Sequence, residues 1–417
     1  MFDLVSYQKG GRILHMLRHL VGDEAFFTSL NKYLDDNKFS NGSAIKLKLA
    51  FESVTGKDLN WFFNQWYFSN AHPYVRITHQ YLADKSQVQV IIQQNQTIDK
   101  LFKLPVDIDV YVNNQRNRYQ VWSEHRADTF YFAANTKPNN VNVDADKILL
   151  WNKDESKPLT YYQYQMSHAT NLMDRYEAMG EASENMKDPI AQQIIKTALK
   201  DTFYVIRAKA VHSFNPNNID STTEQAIAVI ASNDPSNDVR EEAIDIIGNM
   251  SKDKYRDLFF KWTKDSSYTI AGAALEALEK IDSTTAKQIA FSLTNTTLKK
   301  RLNTAVSNIV SKYGDESVFD FIADKYATLN IQSAEKFYMT TSLAKLLIKT
   351  KDTLKFKKGI DLIVAFREAI PQGYRVQTDP YFNGKILGEI LKAKKQAGEN
   401  ELASMVAEQL PATTIKP

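Results

Sequence analysis

Apolar residues recur with a helical period over the first 70 positions. After Gly10-Gly11, the residues Ile13, Leu14, Leu17, Leu20 and Val21 share one helical face, and Gly22 ends the run. Asp23 is placed to cap a second helix with the stripe Phe26, Phe27, Leu30, Tyr33 and Leu34. Ser43 opens a third helix that stops near Gly56, and Asp58 caps a fourth whose buried side is Leu59, Phe62, Phe63 and Trp66. From about His72 to Trp151 the period falls to two. Val75 and Ile77, Val88 and Val90, then Val106, Ile108, Val110 and Val112 alternate with polar residues, and Asn113-Asn114 is a turn signal before Tyr119, Val121 and Trp122. Further runs end at Val143 and Trp151, so this stretch predicts a small antiparallel β-sandwich. The charged run Asn152 to Pro158 is the best candidate for a linker.

Beyond residue 160 the alternation ceases and an internal repeat begins. The phrase Arg-x-x-Ala occurs at Arg175/Ala178, Arg207/Ala210 and Arg240/Ala243, with a weaker copy at Ala271/Ala274 and a decayed one at Arg301/Thr304. The first four alanines lie 32, 33 and 31 residues apart, and an aspartate stands six residues before the second, third and fourth copies, at Asp201, Asp234 and Asp265. Each aspartate is positioned to cap the helix that follows. The period resembles that of HEAT-type repeats, in which small residues let paired helices approach closely and each pair buries its face by stacking on the next. An ordinary helical bundle with chance similarity is the alternative. The expected organisation is multi-domain and mainly α with a β-sandwich: residues 1–70 the helical end of a larger domain, 71–155 the sandwich, and 156–417 a HEAT-like α-helical repeat domain.

Composition narrows the function classes. With 52 basic and 49 acidic residues in 417, and no long block of one sign, the chain lacks the concentrated basic stripe that binding to nucleic acid requires. The absence of cysteine excludes disulfides, thiolate nucleophiles and cysteine-ligated metals, and leaves the compartment open. No apolar stretch approaches the about 20 residues of a bilayer span, and the first residues lack the order of a secretory signal. A soluble chain is therefore expected.

The chemistry concentrates at Ser6-Tyr7-Gln8-Lys9-Gly10-Gly11 and the helix after it. This segment resembles the Tyr-x-Lys-Gly element of the aminopeptidase N family of zinc metallopeptidases. The likeness continues through Gly22-Asp23, Thr55-Gly56-Lys57-Asp58-Leu59 and Phe63-Asn64-Gln65-Trp66 to Pro73, and the order of helices, sandwich and helical domain matches as well. The resemblance implies that residues 1–70 end a thermolysin-like catalytic domain and that Tyr7 is catalytic, its hydroxyl donating a hydrogen bond to the tetrahedral oxyanion formed during peptide cleavage. A fixed donor aimed where charge develops lowers the barrier selectively, and a phenol stays protonated at neutral pH. The bland alternative makes Tyr7 an interfacial aromatic at a helix start.

The family's H-E-x-x-H motif with its distant glutamate is absent, as is the Gly-x-Met-Glu-Asn element that holds the substrate amino group. The implied zinc (Zn2+) must then be held by an upstream domain of the same protein, and the isolated chain is expected to be inactive. His15 and His19 have the i, i+4 spacing of a zincin helix, but Met16 stands where the general base belongs, and the position after an eighteen-residue gap from His19 is Lys38. The two histidines are expected to be surface or packing residues, and the other five are scattered. Gly10-Gly11 lacks the ending of a phosphate loop, Lys299-Lys300-Arg301 is a solvated helix face, and Tyr161, Tyr162 and Tyr164 line a packed seam rather than a peptide path. The resemblance implies an enzyme that removes N-terminal residues from peptides, with the helical domain closing a chamber around the site. The competing expectations are a non-catalytic repeat scaffold for a protein partner and assembly with a separately encoded zinc domain.

Overall fold

The computed structural model describes residues 5–411 and divides the chain into two compact units, Met1–Ile206 and Arg207–Pro417. The first unit opens with α1 (Gly10–Val21), α2 (Asp23–Asp36), α3 (Ala44–Thr55) and α4 (Asn60–Trp66). Ser43 caps α3 as expected, its Oγ accepting the Lys46 N–H, and Gly56 ends the helix in the left-handed region at φ 66°. Asp58 accepts the Asn60 N–H at 2.8 Å, so it caps the start of α4 from just outside. Asp23 does not cap α2: Gly22 holds that position and the Asp23 carboxylate pairs with Arg18 at 2.7 Å. Leu59, Phe62, Phe63 and Trp66 are buried, whereas Leu14, Phe27 and Leu34, expected on buried stripes, face solvent.

Seven strands follow: β1 (Tyr74–Leu82), β2 (Gln87–Gln94), β3 (Leu104–Val112), β4 (Gln115–Ser123), β5 (Ala127–Ala133), β6 (Asn140–Val143) and β7 (Asn152–Ser156). They form a four-stranded sheet ordered β5-β2-β1-β7 and a three-stranded sheet ordered β4-β3-β6. The inward residues Val75, Ile77, Val90, Val106, Ile108 and Val110 are all fully buried, as the period of two predicts. Asn113 and Asn114 have φ of 52° and 63° and close the β3–β4 hairpin in the doubly left-handed turn that asparagine tolerates.

Two expectations fail at β7. The run from Asn152 is not a linker but a strand, and it pairs parallel to β1, so the sandwich is not wholly antiparallel. Its alternation is inverted, with the charged residues Lys153, Glu155 and Lys157 on the inward face. The Glu155 side chain is 4% exposed and lies 2.9 Å from His79 Nε2 and 2.6 Å from Lys153 Nζ. Burial alone would lift its carboxyl, but Lys153 and Lys157 outweigh that and hold it well below the usual range. The chain continues as α5 (Leu159–His168), α6 (Leu172–Glu184) and α7 (Pro189–Ala198). Glu177 of α6 receives Lys153 at 3.6 Å and Lys147 at 2.9 Å, while Lys157 Nζ donates to Gln165 Oε1 of α5 at 2.7 Å. Strand and helices are thus joined by ion pairs and by a hydrogen bond from Lys157 to a neutral amide. Tyr161 and Tyr162 are buried and Tyr164 stacks on His168 at 4.1 Å, a packing role for all three.

After α8 (Tyr204–His212), which spans the point of division, the second unit contains α9 (Ser221–Asn233), α10 (Asn237–Asn249), α11 (Arg256–Trp262), α12 (Tyr268–Ile281), α13 (Ser283–Ser292), α14 (Lys300–Tyr313), α15 (Phe319–Thr328) and α16 (Ala334–Lys349). Each odd helix packs on the even helix after it, and α10, α12, α14 and α16 stack in series, as HEAT-type repeats require. The repeat alanines Ala210, Ala243 and Ala274 are fully buried. A Cβ on Gly272 would lie 2.5 Å from the Arg301 backbone, so only glycine permits this approach of α12 to α14. Then come α17 (Thr353–Ala369), α18 (Gln372–Asp379), α19 (Glu389–Gln396) and α20 (Asn400–Ala407), of which α17, α19 and α20 share one core with α15 and α16.

The repeated arginines and aspartates are partners. In the first unit Arg175 Nε donates to Asp201 at 2.6 Å; in the second Arg207 binds Asp234 at 2.8 Å and Arg240 binds Asp265 at 2.9 Å. Each aspartate also accepts a backbone N–H two residues on, from Phe203, Ser236 and Ser267. The aspartates therefore sit ahead of the helix caps, which at α10 and α12 are Ser236 and Ser267. Burial would raise the Asp234 carboxyl, but Arg207 and the Ser236 N–H prevail and lower it. In the decayed copy Arg301 turns instead to Glu241 at 2.8 Å, Asp245 at 2.6 Å and Glu276 at 3.0 Å. Lysines close three helix C-termini: Lys349 donates to the Ser311 carbonyl at 3.0 Å, Lys336 to the Tyr326 carbonyl at 3.0 Å, and Lys394 to the Thr350 carbonyl at 2.6 Å.

Replacing Glu155 by alanine leaves Lys153 buried without its nearest counter-charge, and urea unfolding is expected to show a loss of about 3–5 kcal/mol. A second expectation concerns acid. Lys252 and Lys254, then the Tyr255 hydroxyl, hold the Glu224 carboxyl at about 2 against an ordinary 4.5. A carboxylate depressed on folding stabilises the protein above its unfolded value and loses that contribution as pH falls toward the folded one. Between pH 4.5 and about 2 the parent's thermal midpoint should therefore fall more steeply than that of Glu224→Gln.

Candidate active site

Tyr7 lies in a single wide turn, Val5–Lys9, wound with the i→i+5 spacing of a π-helix immediately before α1. Such turns are rare and concentrate at functional sites. The Tyr7 side chain is not sealed in a core: the residue is 62% exposed. What fixes its position is the anchoring of the turn and of α1. Lys9 Nζ donates to the Ser69 carbonyl at 2.9 Å, tying the turn to the segment after α4. Along α1, Ile13, Met16 and Leu17 are buried. The Arg12 guanidinium donates to the carbonyls of Lys147 and Leu149, and the Leu150 N–H meets Met16 Sδ at 3.3 Å.

The loop that receives Arg12 is itself held rigid. Asp144, left-handed at φ 53°, accepts the Ile148 N–H at 2.8 Å and the Leu149 N–H at 3.2 Å. Burial pushes its carboxyl up in spite of these bonds. On the other side, Gln65 of α4 exchanges both its amide groups with Lys103, donating to the carbonyl at 3.0 Å and accepting the N–H at 2.7 Å. The turn carrying Tyr7 thus stands on α1, and α1 stands on the sandwich. Lys9, Arg12 and Asp144 were not singled out as positioning residues. Lys9 falls within the Tyr-x-Lys-Gly element, but the partners of Arg12 lie more than 130 residues away and leave no local signature.

The residues present do not fit zinc. Among the described residues no group of three or more His, Cys, Asp or Glu side chains is arranged to hold a metal ion. His19 Nε2 is engaged by Asp107 Oδ2 of β3 at 3.1 Å. His15 is lowered by burial and by the neighbouring Arg12 and Arg18, cations that would also repel a divalent ion. The same N-terminal segment exposes a large apolar surface: Phe39 is fully exposed, and Phe27, Leu34, Ile45, Leu49, Tyr67 and Phe68 are each more than half exposed. Among the described residues no helix is long and apolar enough to cross a membrane.

Comparison with known proteins agrees with this organisation. Residues 1–66 match the peptidase family M1 domain, and residues 223–309 match HEAT repeats. The chain is similar to aminopeptidase N of Lactococcus lactis, 31% identical over 111 residues, which cover 26% of this chain and 13% of that protein. It is similar to tricorn protease-interacting factor F2 of Thermoplasma acidophilum, 34% identical over 76 residues, covering 18% of this chain and 10% of the relative. Leucyl aminopeptidase of Saccharolobus solfataricus is 28% identical over 150 residues, covering 34% and 18%. These matches therefore span less than a fifth of each relative's own length. In fold, the chain resembles the crystal structure of Legionella pneumophila aminopeptidase A in complex with aspartic acid, with a TM-score of 0.57 and 13% identity over 98% of this chain and 57% of that one. In its N-terminal segment the chain is thus similar to the M1 aminopeptidases, and its mainly helical architecture with a β-sandwich and HEAT repeats shares the fold of such a protein.

Proposed function

We propose that this chain is the C-terminal part of a zinc aminopeptidase that removes N-terminal residues from peptides, and that Tyr7 is its oxyanion-stabilising hydrogen-bond donor. The observation that carries the proposal is Tyr7 itself, exposed on a rare wide turn at the head of a helix clamped at several points, within the segment matched by the peptidase domain. A donor of this kind must be immobile before the reaction begins, because its benefit comes from needing no reorganisation as charge develops. The tethers of Lys9 and Arg12 supply that immobility. Among the described residues no set fits zinc, and in this reading an upstream domain of the same protein holds the ion. The apolar surface around Phe27, Phe39 and Phe68 is the area on which such a domain packs. The helical repeats form the chamber wall that limits access to peptides.

Two measurements test the reading. The purified chain alone, supplied with zinc and an aminoacyl reporter substrate, should give no hydrolysis above background. In the polypeptide that joins this chain to the zinc-bearing domain, Tyr7→Phe should lower kcat by about 10²–10³-fold with little change in KM, the signature of a contact made only in the transition state. Full activity in the phenylalanine variant would remove Tyr7 from the mechanism, and hydrolysis by the isolated chain would overturn the assignment of zinc to another domain.

A further inference from the structure

Between α1, α4 and the β3–β4 face of the sandwich lies a cavity of about 170 Å³. Its walls are the aromatic rings of Trp61, Phe62, Trp66 and Trp122, closed by Leu20, Pro105 and their neighbours, and its rim carries His19, Lys57 and Gln120. The pocket opens to solvent at that rim, so its volume is accessible to a ligand. The walls are braced against collapse. Trp66 packs on Phe102 with ring centres 5.7 Å apart, Trp61 meets Phe62 at 5.6 Å and Trp122 at 5.8 Å, and the Lys103 ammonium lies over the Trp122 ring at 4.7 Å.

The lining specifies an occupant. An apolar cavity of about 150 Å³ accommodates a benzene ring, so this pocket of about 170 Å³, open at a polar rim, has room for a single ring. Rigid indole walls favour a flat aromatic ring over a flexible aliphatic chain. At the rim, His19 Nε2 and Gln120 Nε2 are both directed to Asp107, at 3.1 and 3.2 Å, which answers that carboxylate. Lys57 makes a long contact of 3.4 Å with the Leu20 carbonyl, so its ammonium is the rim group best able to turn to a ligand's acceptor oxygen. We infer that the cavity is a binding site for a small monocyclic aryl carboxylate, the ring inserted among Trp61, Trp66 and Trp122 and the carboxylate held at the rim by Lys57. The site involves neither Tyr7 nor zinc, so it stands apart from the proposed peptidase role.

The test is fluorine NMR of the full chain titrated with 4-fluorobenzoate, with fluorobenzene as the uncharged comparison. A saturable shift is expected with 4-fluorobenzoate, and weaker binding with fluorobenzene. Lys57→Met, a change at an exposed position, should weaken 4-fluorobenzoate about tenfold, the scale of one charge-assisted hydrogen bond. Leu20→Trp fills the cavity and should abolish binding, with circular dichroism confirming an unchanged fold. No saturable shift in the parent at millimolar ligand would overturn the inference. So would undiminished binding in Lys57→Met or in folded Leu20→Trp.

Discussion

A charge withdrawn from water must be met by an opposite charge fixed in place, and this constraint organises both units. In the first, Glu155 enters the interior on a strand that would otherwise be covered by apolar residues, and His79, Lys153 and Lys157 assemble around it. Lys153 and Lys147 then reach Glu177, so the sandwich and α6 share one ionic cluster. In the second, Arg207 and Arg240 each meet an aspartate of the following repeat, and Arg301 gathers three carboxylates from α10 and α12. Such pairs add little net stability compared with apolar packing, but they penalise every arrangement in which the partners are apart.

The same logic reaches the candidate site. The placement of Tyr7 rests on a chain of dependence whose one long-range link is the Arg12 guanidinium on the carbonyls of Lys147 and Leu149. Asp144 orders the loop at residues 147–150, that loop receives Arg12, Arg12 orients α1, and α1 carries the wide turn. The sandwich is therefore more than a spacer, because one of its loops is the footing of the helix that presents the tyrosine.

Much of the fold was legible because its signals are local. The period of two in Val75, Ile77, Val106, Ile108 and Val110, the Asn113-Asn114 turn and the Ser43 cap each follow from neighbouring residues, and each appears where expected. The repeat was visible through its alanines and aspartates. That its arginines and aspartates bind one another was not, since the partners are 25 to 27 residues apart and nothing in either copy names the other. Asn152 to Pro158 misled for a physical reason: alternating charge suggests solvent, whereas Glu155 within the run and the facing Glu177 and Gln165 make the interior habitable for Lys153 and Lys157. Phe27 and Leu34 misled in the opposite sense, being apolar at helical spacing yet exposed. Around the candidate Tyr7, the carbonyls that receive Arg12 lie more than 130 residues away, too great a sequence distance for spacing to reveal them.

The lysines that close helix ends in the second unit carry an implication for synthesis. The carbonyls at the end of α14 wait for Lys349, and the carbonyl of Thr350 after α16 waits for Lys394, each supplied from later in the chain. A polypeptide emerging from the ribosome would present these termini frayed until the downstream helix arrived, so the array matures from its leading end toward its trailing one. Loss of the last few dozen residues would therefore be felt upstream, at helices whose own sequence is intact.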